Sequence, residues 1–249
     1  MKIVLLMGLF LGVLFFLIFL KSSPQKLHIA MTQTATPPTE NSGYLLHIAN
    51  SDFLAVTQKI APAGLTLLTN FNKQLNTTEL MSNNHCRYGT SAGFYTKNSQ
   101  PLGIFYTNGQ FISKTVHDQS LFNGFLYKTT EGQLVLSRTV PNFEQLDFLF
   151  QSGPLFTPDQ KLTIVGDEMA RRIIIGETTA HEWYFIALTQ PDNGNSGPYL
   201  ADIPELITQL PQKFMQLLNL DGGAASAFYG VDGTKRQELT PVGSFLCGQ

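Results

Sequence analysis

Asn219-Leu220-Asp221-Gly222-Gly223-Ala224-Ala225-Ser226-Ala227-Phe228-Tyr229 is the stretch around which this chain is organised. An apolar run ends at Leu217-Leu218, reaches Asp221, turns through two glycines and resumes as small and aromatic residues. Paired glycines permit positive φ and let another backbone or a ligand approach closely. An aspartate at the mouth of such a turn can accept backbone N–H groups or face a ligand with its carboxylate. An Asp-Gly hairpin turn is the competing reading of the same residues.

Immediately upstream, Asp202-Ile203-Pro204-Glu205 sets an aspartate three residues before a glutamate, with proline in the first turn, which is a helix-start pattern. Leu206, Ile207, Leu210, Phe214, Leu217 and Leu218 follow at helical spacing. One helix with a core-facing stripe is therefore expected to deliver residues 219–223 to a fixed place. Pro211 should kink or split it, because proline removes a ladder donor.

Further out, apolar and polar residues alternate over short spans at 44–48, 53–60, 65–71, 103–107, 125–128 and 134–138, bounded by Gly, Asn, Pro or Asp. That is a strand-and-turn signature. Asn108-Gly109 is a two-residue hairpin turn between 104–107 and 110–113. Asn76-Thr77-Thr78 fits a glycosylation sequon and so an exposed position. Residues 43–249 are expected to form a single α+β domain, with a dominant antiparallel or mixed β-sheet and few helices.

Residues 3–20 are uncharged and apolar, closed off by Lys2 and Lys21. Eighteen such residues lie at the lower limit for spanning a bilayer and are long for a signal-peptide core. No clear small-x-small cleavage site follows, so an uncleaved anchor is preferred to a cleaved signal. Residues 1–21 are assigned as signal anchor or signal peptide, and the polar stretch 22–42 as a flexible tether. This N-terminal membrane segment would place the domain outside the cytoplasm, membrane-anchored or secreted. The two cysteines, Cys86 and Cys247, are then expected to form a disulfide. With 16 basic and 18 acidic residues in 249, the chain lacks the basic footprint of a nucleic-acid binder. Neither Cys-x-x-Cys nor His-x-x-x-His occurs, and no phosphate-binding or dinucleotide fingerprint appears. Neither a metal nor a cofactor is expected.

Four further stretches join the opening one. They are Ser91-Ala92-Gly93-Phe94-Tyr95 followed by Pro101-Leu102-Gly103, then Gln151-Ser152-Gly153-Pro154, then Arg171-Arg172-Ile173-Ile174-Ile175-Gly176-Glu177, and Ser196-Gly197-Pro198. In this order and spacing they resemble the phosphodiester glycosidase domain family, over essentially residues 43–246. The resemblance implies an extracytoplasmic hydrolase that cleaves a sugar-1-phosphodiester, with a glycan or sugar-phosphate as substrate. Cleavage at the anomeric carbon passes through an oxocarbenium-like state that a carboxylate stabilises. Asp221 is the candidate for that carboxylate. Arg172 matches the family's arginine and is the candidate phosphate clamp, since a guanidinium can grip phosphate through two parallel hydrogen bonds. Glu177, five positions beyond Arg172, is a candidate second acid/base. An odd separation on a strand sets the two on opposite faces unless Gly176 hosts a bulge. Asn219, Gly222, Gly223 and Ser226 are candidate substrate contacts, with Ser91 and Gly93, while Ser152 and Gly153 could form another wall.

Three departures bear on function. The family has Asn-Gly-Gly where this chain has Ser91-Ala92-Gly93, and a third glycine with Ser-Ser where it has Ala224-Ala225-Ser226. Ile173-Ile174 stands in place of Thr-Ala. Added methyl groups beside tight turns can narrow a sugar pocket. A non-catalytic envelope glycan-binding module on the same fold is therefore the alternative.

Overall fold

The computed structural model describes residues 43–249. The membrane segment and tether expected at 1–42 lie outside the described residues. Among those described, no helix is long and apolar enough to cross a membrane.

In chain order the first strands are β1 (Gly43–Ile48), β2 (Ser51–Ile60), β3 (Leu65–Thr69), β4 (Tyr88–Ser91), β5 (Phe105–Thr107) and β6 (Gln110–Ser113). Next come β7 (Gly124–Thr129), β8 (Leu134–Ser137), β9 (Leu146–Ser152), β10 (Leu155–Phe156) and β11 (Arg172–Thr178). The last are β12 (Trp183–Thr189), β13 (Phe214–Asn219), β14 (Phe228–Tyr229), β15 (Lys235–Arg236) and β16 (Ser244–Gly248). Two short helices, α1 (Thr77–Asn83) and α2 (Ile203–Ile207), interrupt them.

The strands form three sheets rather than one dominant sheet, in the orders β1-β2-β12-β11-β13-β10, β15-β14-β4-β16-β3 and β6-β5-β9-β7-β8. Pairing between named strands of the described residues is antiparallel throughout. All three sheets contribute to one core: Ile173, Ile175 and Leu218 meet Leu67 and Leu246 from the second sheet and Phe148 and Phe150 from the third. The other face of the first sheet, with Ile174, Ile186 and Leu217, is covered by Ile203, Leu206 and Ile207 of α2. Because that sheet is buried on both faces, its strands show unbroken apolar runs such as Ile173-Ile174-Ile175 instead of alternation.

One expectation is overturned. The helix begun at 203 ends at Ile207, and residues 214–219 form β13, a strand between β11 and β10. Pro211 stops the helix outright, and Asp202 makes no side-chain cap. Leu217 and Leu218 are both fully buried, on opposite faces of the sheet. A helical stripe would have placed the two on one side.

Other local expectations are met. Asn108 and Gly109, at φ 50 and 74, join β5 to β6 as a type I′-like hairpin. Asn76 is exposed and starts α1, its Oδ1 accepting the Glu79 N–H at 2.9 Å. Cys86 and Cys247 are bridged at a Cα–Cα distance of 5.3 Å, tying the loop after α1 to β16.

Candidate active site

β13 carries the chain out of the first sheet and into the second. The Leu220 N–H donates to Ile173 O at 2.8 Å, whereas the next amide, Asp221 N–H, donates to Ala92 O at 2.9 Å, just beyond β4. Asp221 thus sits where two sheets meet. The Ser91 hydroxyl donates to Asp221 O at 2.8 Å, and the Ser152 hydroxyl donates to Asn219 O at 2.7 Å. The Asn219 amide donates to Gly153 O at 3.0 Å, leaving its buried Oδ1 without a hydrogen-bond partner. Gly93 N–H donates to Ser244 Oγ at 3.2 Å, fixing the end of β4 against β16.

The turn after Asp221 needs its glycines for two reasons. A Cβ at Gly222 would lie 2.6 Å from Arg171 O, closer than backbone tolerates. Gly223 has φ +62, a left-handed conformation, and its N–H donates to that same carbonyl at 2.8 Å. The Ser226 hydroxyl donates to Gly223 O at 2.6 Å and accepts Arg171 Nε–H at 2.7 Å. Ala224 O accepts the N–H groups of Leu239 and Thr240.

Two charges expected here belong elsewhere. Arg172 projects to the face shared with Ile174, where its guanidinium donates to Pro198 O at 3.1 Å, to Glu168 O, and to Asp167 Oδ1 at 3.2 Å. Asp167 also accepts the N–H groups of Leu200 and Ala201, so this ion pair ties two loops to β11. The arginine that reaches the Asp221 turn is its neighbour, Arg171. Strand alternation is the cause: Ile173 and Ile175 face the shared core, and Arg171 lies on their side. Glu177 lies opposite Gln216, three positions along β11 from the Ile174–Asn219 pair, a distance of about 10 Å. Its carboxylate contacts His181 Nδ1 at 2.8 Å and accepts Gln216 Nε2–H at 2.9 Å. The register shift falls between Glu177 and Thr178, so Gly176 hosts no bulge. Glu177 is hydrogen-bonded to Gln216 and in contact with His181, away from the Asp221 turn.

The Asp221 carboxyl is half-buried, and no ion pair reaches it among the described residues. Burial pushes it well above the usual carboxylate range, with only the Gly222 N–H pulling it back. Tyr95 lies within its electrostatic reach. Burial and then the charge of Asp221 raise the Tyr95 phenol, against a lowering bond from Thr240, and its hydroxyl donates to Pro241 O at 2.7 Å. The Tyr95 ring also lines a recess of about 140 Å³ with Asn70, Gln74 and Ser99. The three serine hydroxyls expected to touch substrate are instead spent on the fold. Ser91, Ser152 and Ser226 are each 0% exposed and bonded to backbone or to Arg171.

The segments around Ser91, Ser152, Arg171 and Asn219 thus meet at one turn, whereas Ser196-Gly197-Pro198 lies beside Arg172; all of them fall inside residues 84–247, which match the family model of phosphodiester glycosidases. The chain belongs to the phosphodiester glycosidase family. Among solved structures, this phosphodiester glycosidase domain is similar to the catalytic domain of zebrafish N-acetylglucosamine-1-phosphodiester alpha-N-acetylglucosaminidase, auto-inhibited by its pro-peptide. That match has TM-score 0.64 at 13% identity and covers 87% of this chain and 85% of the other. A hypothetical protein from Synechocystis matches with TM-score 0.55 at 15% identity, covering 82% of this chain and 61% of that one. At these identities the likeness is one of fold. No curated protein sequence matches. In this phosphodiester glycosidase domain, Arg171 and Tyr95 lie within motif segments, yet the resemblance implies no role for either. The parity of Arg171 with Ile173 and Ile175 was the signal that could have singled it out. Tyr95 carried none, because its approach to Asp221 joins β4 to a turn far along the chain.

Proposed function

We propose that the protein is an extracytoplasmic phosphodiester glycosidase acting on a sugar joined through its anomeric oxygen to phosphate. The observation that carries this reading is the half-buried Asp221 carboxyl, without an ion pair among the described residues, where the segments around Ser91, Ser152, Arg171 and Asn219 meet. Water attacks the anomeric carbon and the bond from that carbon to the bridging phosphate oxygen breaks. The electron pair leaves with the phosphomonoester, and the water proton passes to Asp221. The ionised carboxylate also stabilises the positive charge that develops on the sugar. A phosphomonoester is acidic, with a second pKa of about 6, so the leaving group needs little protonation. A general base works best with a pKa drawn toward the operating pH, and burial moves Asp221 that way. The Cys86–Cys247 bridge supports an oxidising compartment. Arg172, paired with Asp167, anchors loops in this reading.

The test is hydrolysis of a panel of sugar-1-phosphodiesters by the full chain and by Asp221→Asn. Turnover should rise with pH through an ionisation above the ordinary carboxyl range, and Asp221→Asn should lose about a hundredfold or more. Full turnover by the variant overturns the mechanism. One observation favours a second reading, a glycan-binding module without catalysis. Ala92 places a fully buried methyl where the family has glycine, and the neighbouring hydroxyls are already engaged. Glycan affinity without hydrolysis by the folded wild type would select it.

A further inference from the structure

Arg171 is 1% exposed, yet it forms no ion pair among the described residues. A buried guanidinium without a carboxylate is costly. Burial accordingly lowers its affinity for the proton, Arg236 opposes its charge, and Glu238 favours it. Glu238 is itself held by the Thr77 N–H at 2.7 Å and by the Thr77 hydroxyl. What Arg171 gains in return is concentrated on one segment. Nε donates to Ser226 Oγ at 2.7 Å, Nη2 donates to Gly223 O at 3.4 Å, and its own carbonyl accepts Gly223 N–H at 2.8 Å. That carbonyl also fills the space a side chain at position 222 would need. Backbone and side chain of one residue thus grip both ends of the turn that begins beside Asp221.

We propose that Arg171, rather than Arg172, is the positioning residue of the site: it clamps the Gly222–Ser226 turn and thereby fixes the Asp221 carboxyl in its desolvated seat. This deepens the glycosidase reading and rests on it for its catalytic consequence. Arg171 does not touch substrate. Its effect is geometric, and a displacement of about 1 Å at a reacting group can reduce turnover about a hundredfold. Lysine cannot replace it, because a single ammonium lacks the fork that reaches Ser226 and Gly223 together. Loosening the turn admits water to Asp221 and returns its carboxyl toward the free-carboxylate range.

The test uses the full chain and compares Arg171→Lys, Arg171→Met and Ser226→Ala with Arg172→Lys. Two quantities are read: the titration midpoint of the Asp221 carboxyl, by carbon NMR of labelled protein, and kcat separately from KM. The Arg171 and Ser226 variants should move the Asp221 midpoint toward lower pH. The Arg171 variants should cut kcat by about ten- to a hundredfold, with KM near wild type. Arg172→Lys should leave the midpoint in place. Ser226→Ala retains Arg171 and removes one hydroxyl, so it decides the matter if both Arg171 variants fail to fold. An unchanged midpoint in every folded variant at 171 and 226, or an equal movement in Arg172→Lys, overturns the proposal. If the wild type hydrolyses no phosphodiester, the functional reading falls, while the titration still decides whether Arg171 seats Asp221.

Discussion

Burial of the Asp221 carboxyl costs the folded state stability as pH rises. Desolvation raises its folded pKa well above that of a free aspartate. The folded state therefore holds the proton more tightly than the unfolded chain. Stability is fully present below that unfolded value and is lost as pH rises from there through the folded pKa. Asp221→Asn abolishes the loss, so at pH 7 the variant should melt higher than wild type, by about 2–4 °C for each 1 kcal/mol recovered. The difference should shrink as pH falls toward 4, and scanning calorimetry across pH would expose a gap of the wrong sign. The adjacent glycines make a second pair of expectations. Gly222→Ala forces a methyl against Arg171 O and should destabilise by about 1–3 kcal/mol, with turnover lost. A Cβ at position 223 meets nothing within 4 Å and asparagine tolerates left-handed φ, so denaturant melts should place Gly223→Asn well under half that cost.

β13 is the element on which site and fold both depend. Its apolar residues repeat at three- and four-residue intervals, which a helix also requires, and length alone could not choose between the two. Energetics could. Helix propensities differ by at most about 0.7 kcal/mol per ordinary residue. Burying Leu217 and Leu218 completely stabilises by roughly 1.5–3 kcal/mol each, and the strand between β11 and β10 buries one on each face of the sheet while pairing its backbone on both sides. Hydrogen exchange should therefore be slow at Leu217 and Leu218 and fast at 209–213, where the chain crosses from α2 into the sheet. Equal, helix-like protection from 205 to 218 would contradict this. The helix start at Ile203-Pro204 and the β5–β6 hairpin were legible because their determinants are local: proline in the first turn, and Asn-Gly between alternating residues. Which arginine meets the Asp221 turn was not legible for a related reason, since resemblance fixes a position in the chain and not the face to which a side chain points.

At the scale of the molecule, three sheets share one core, and the disulfide closes a sequence separation of 161 residues. In the chain-entropy account a loop of that size stabilises by about 4–5 kcal/mol. Reduction, or Cys86→Ser with Cys247→Ser, should lower Tm by about 10 °C. An unchanged melt would mean that α1 and β16 are held by packing alone, through Leu80 and Phe245 beside the bridge.

From the sequence alone came the strand-rich class, the Cys86–Cys247 pairing and the family. They rest on short-range alternation, on the two cysteines of an exported segment and on motifs in a fixed order. Tertiary structure decided that residues 214–219 extend rather than coil, that Arg171 and not Arg172 meets the turn, and that Glu177 stands apart beside His181 and Gln216. It also assigned three serine hydroxyls to the scaffold. Those outcomes depend on which strands become neighbours. Burial on both faces of a sheet, and the side on which each residue emerges, exist only once β11, β13 and β4 have met.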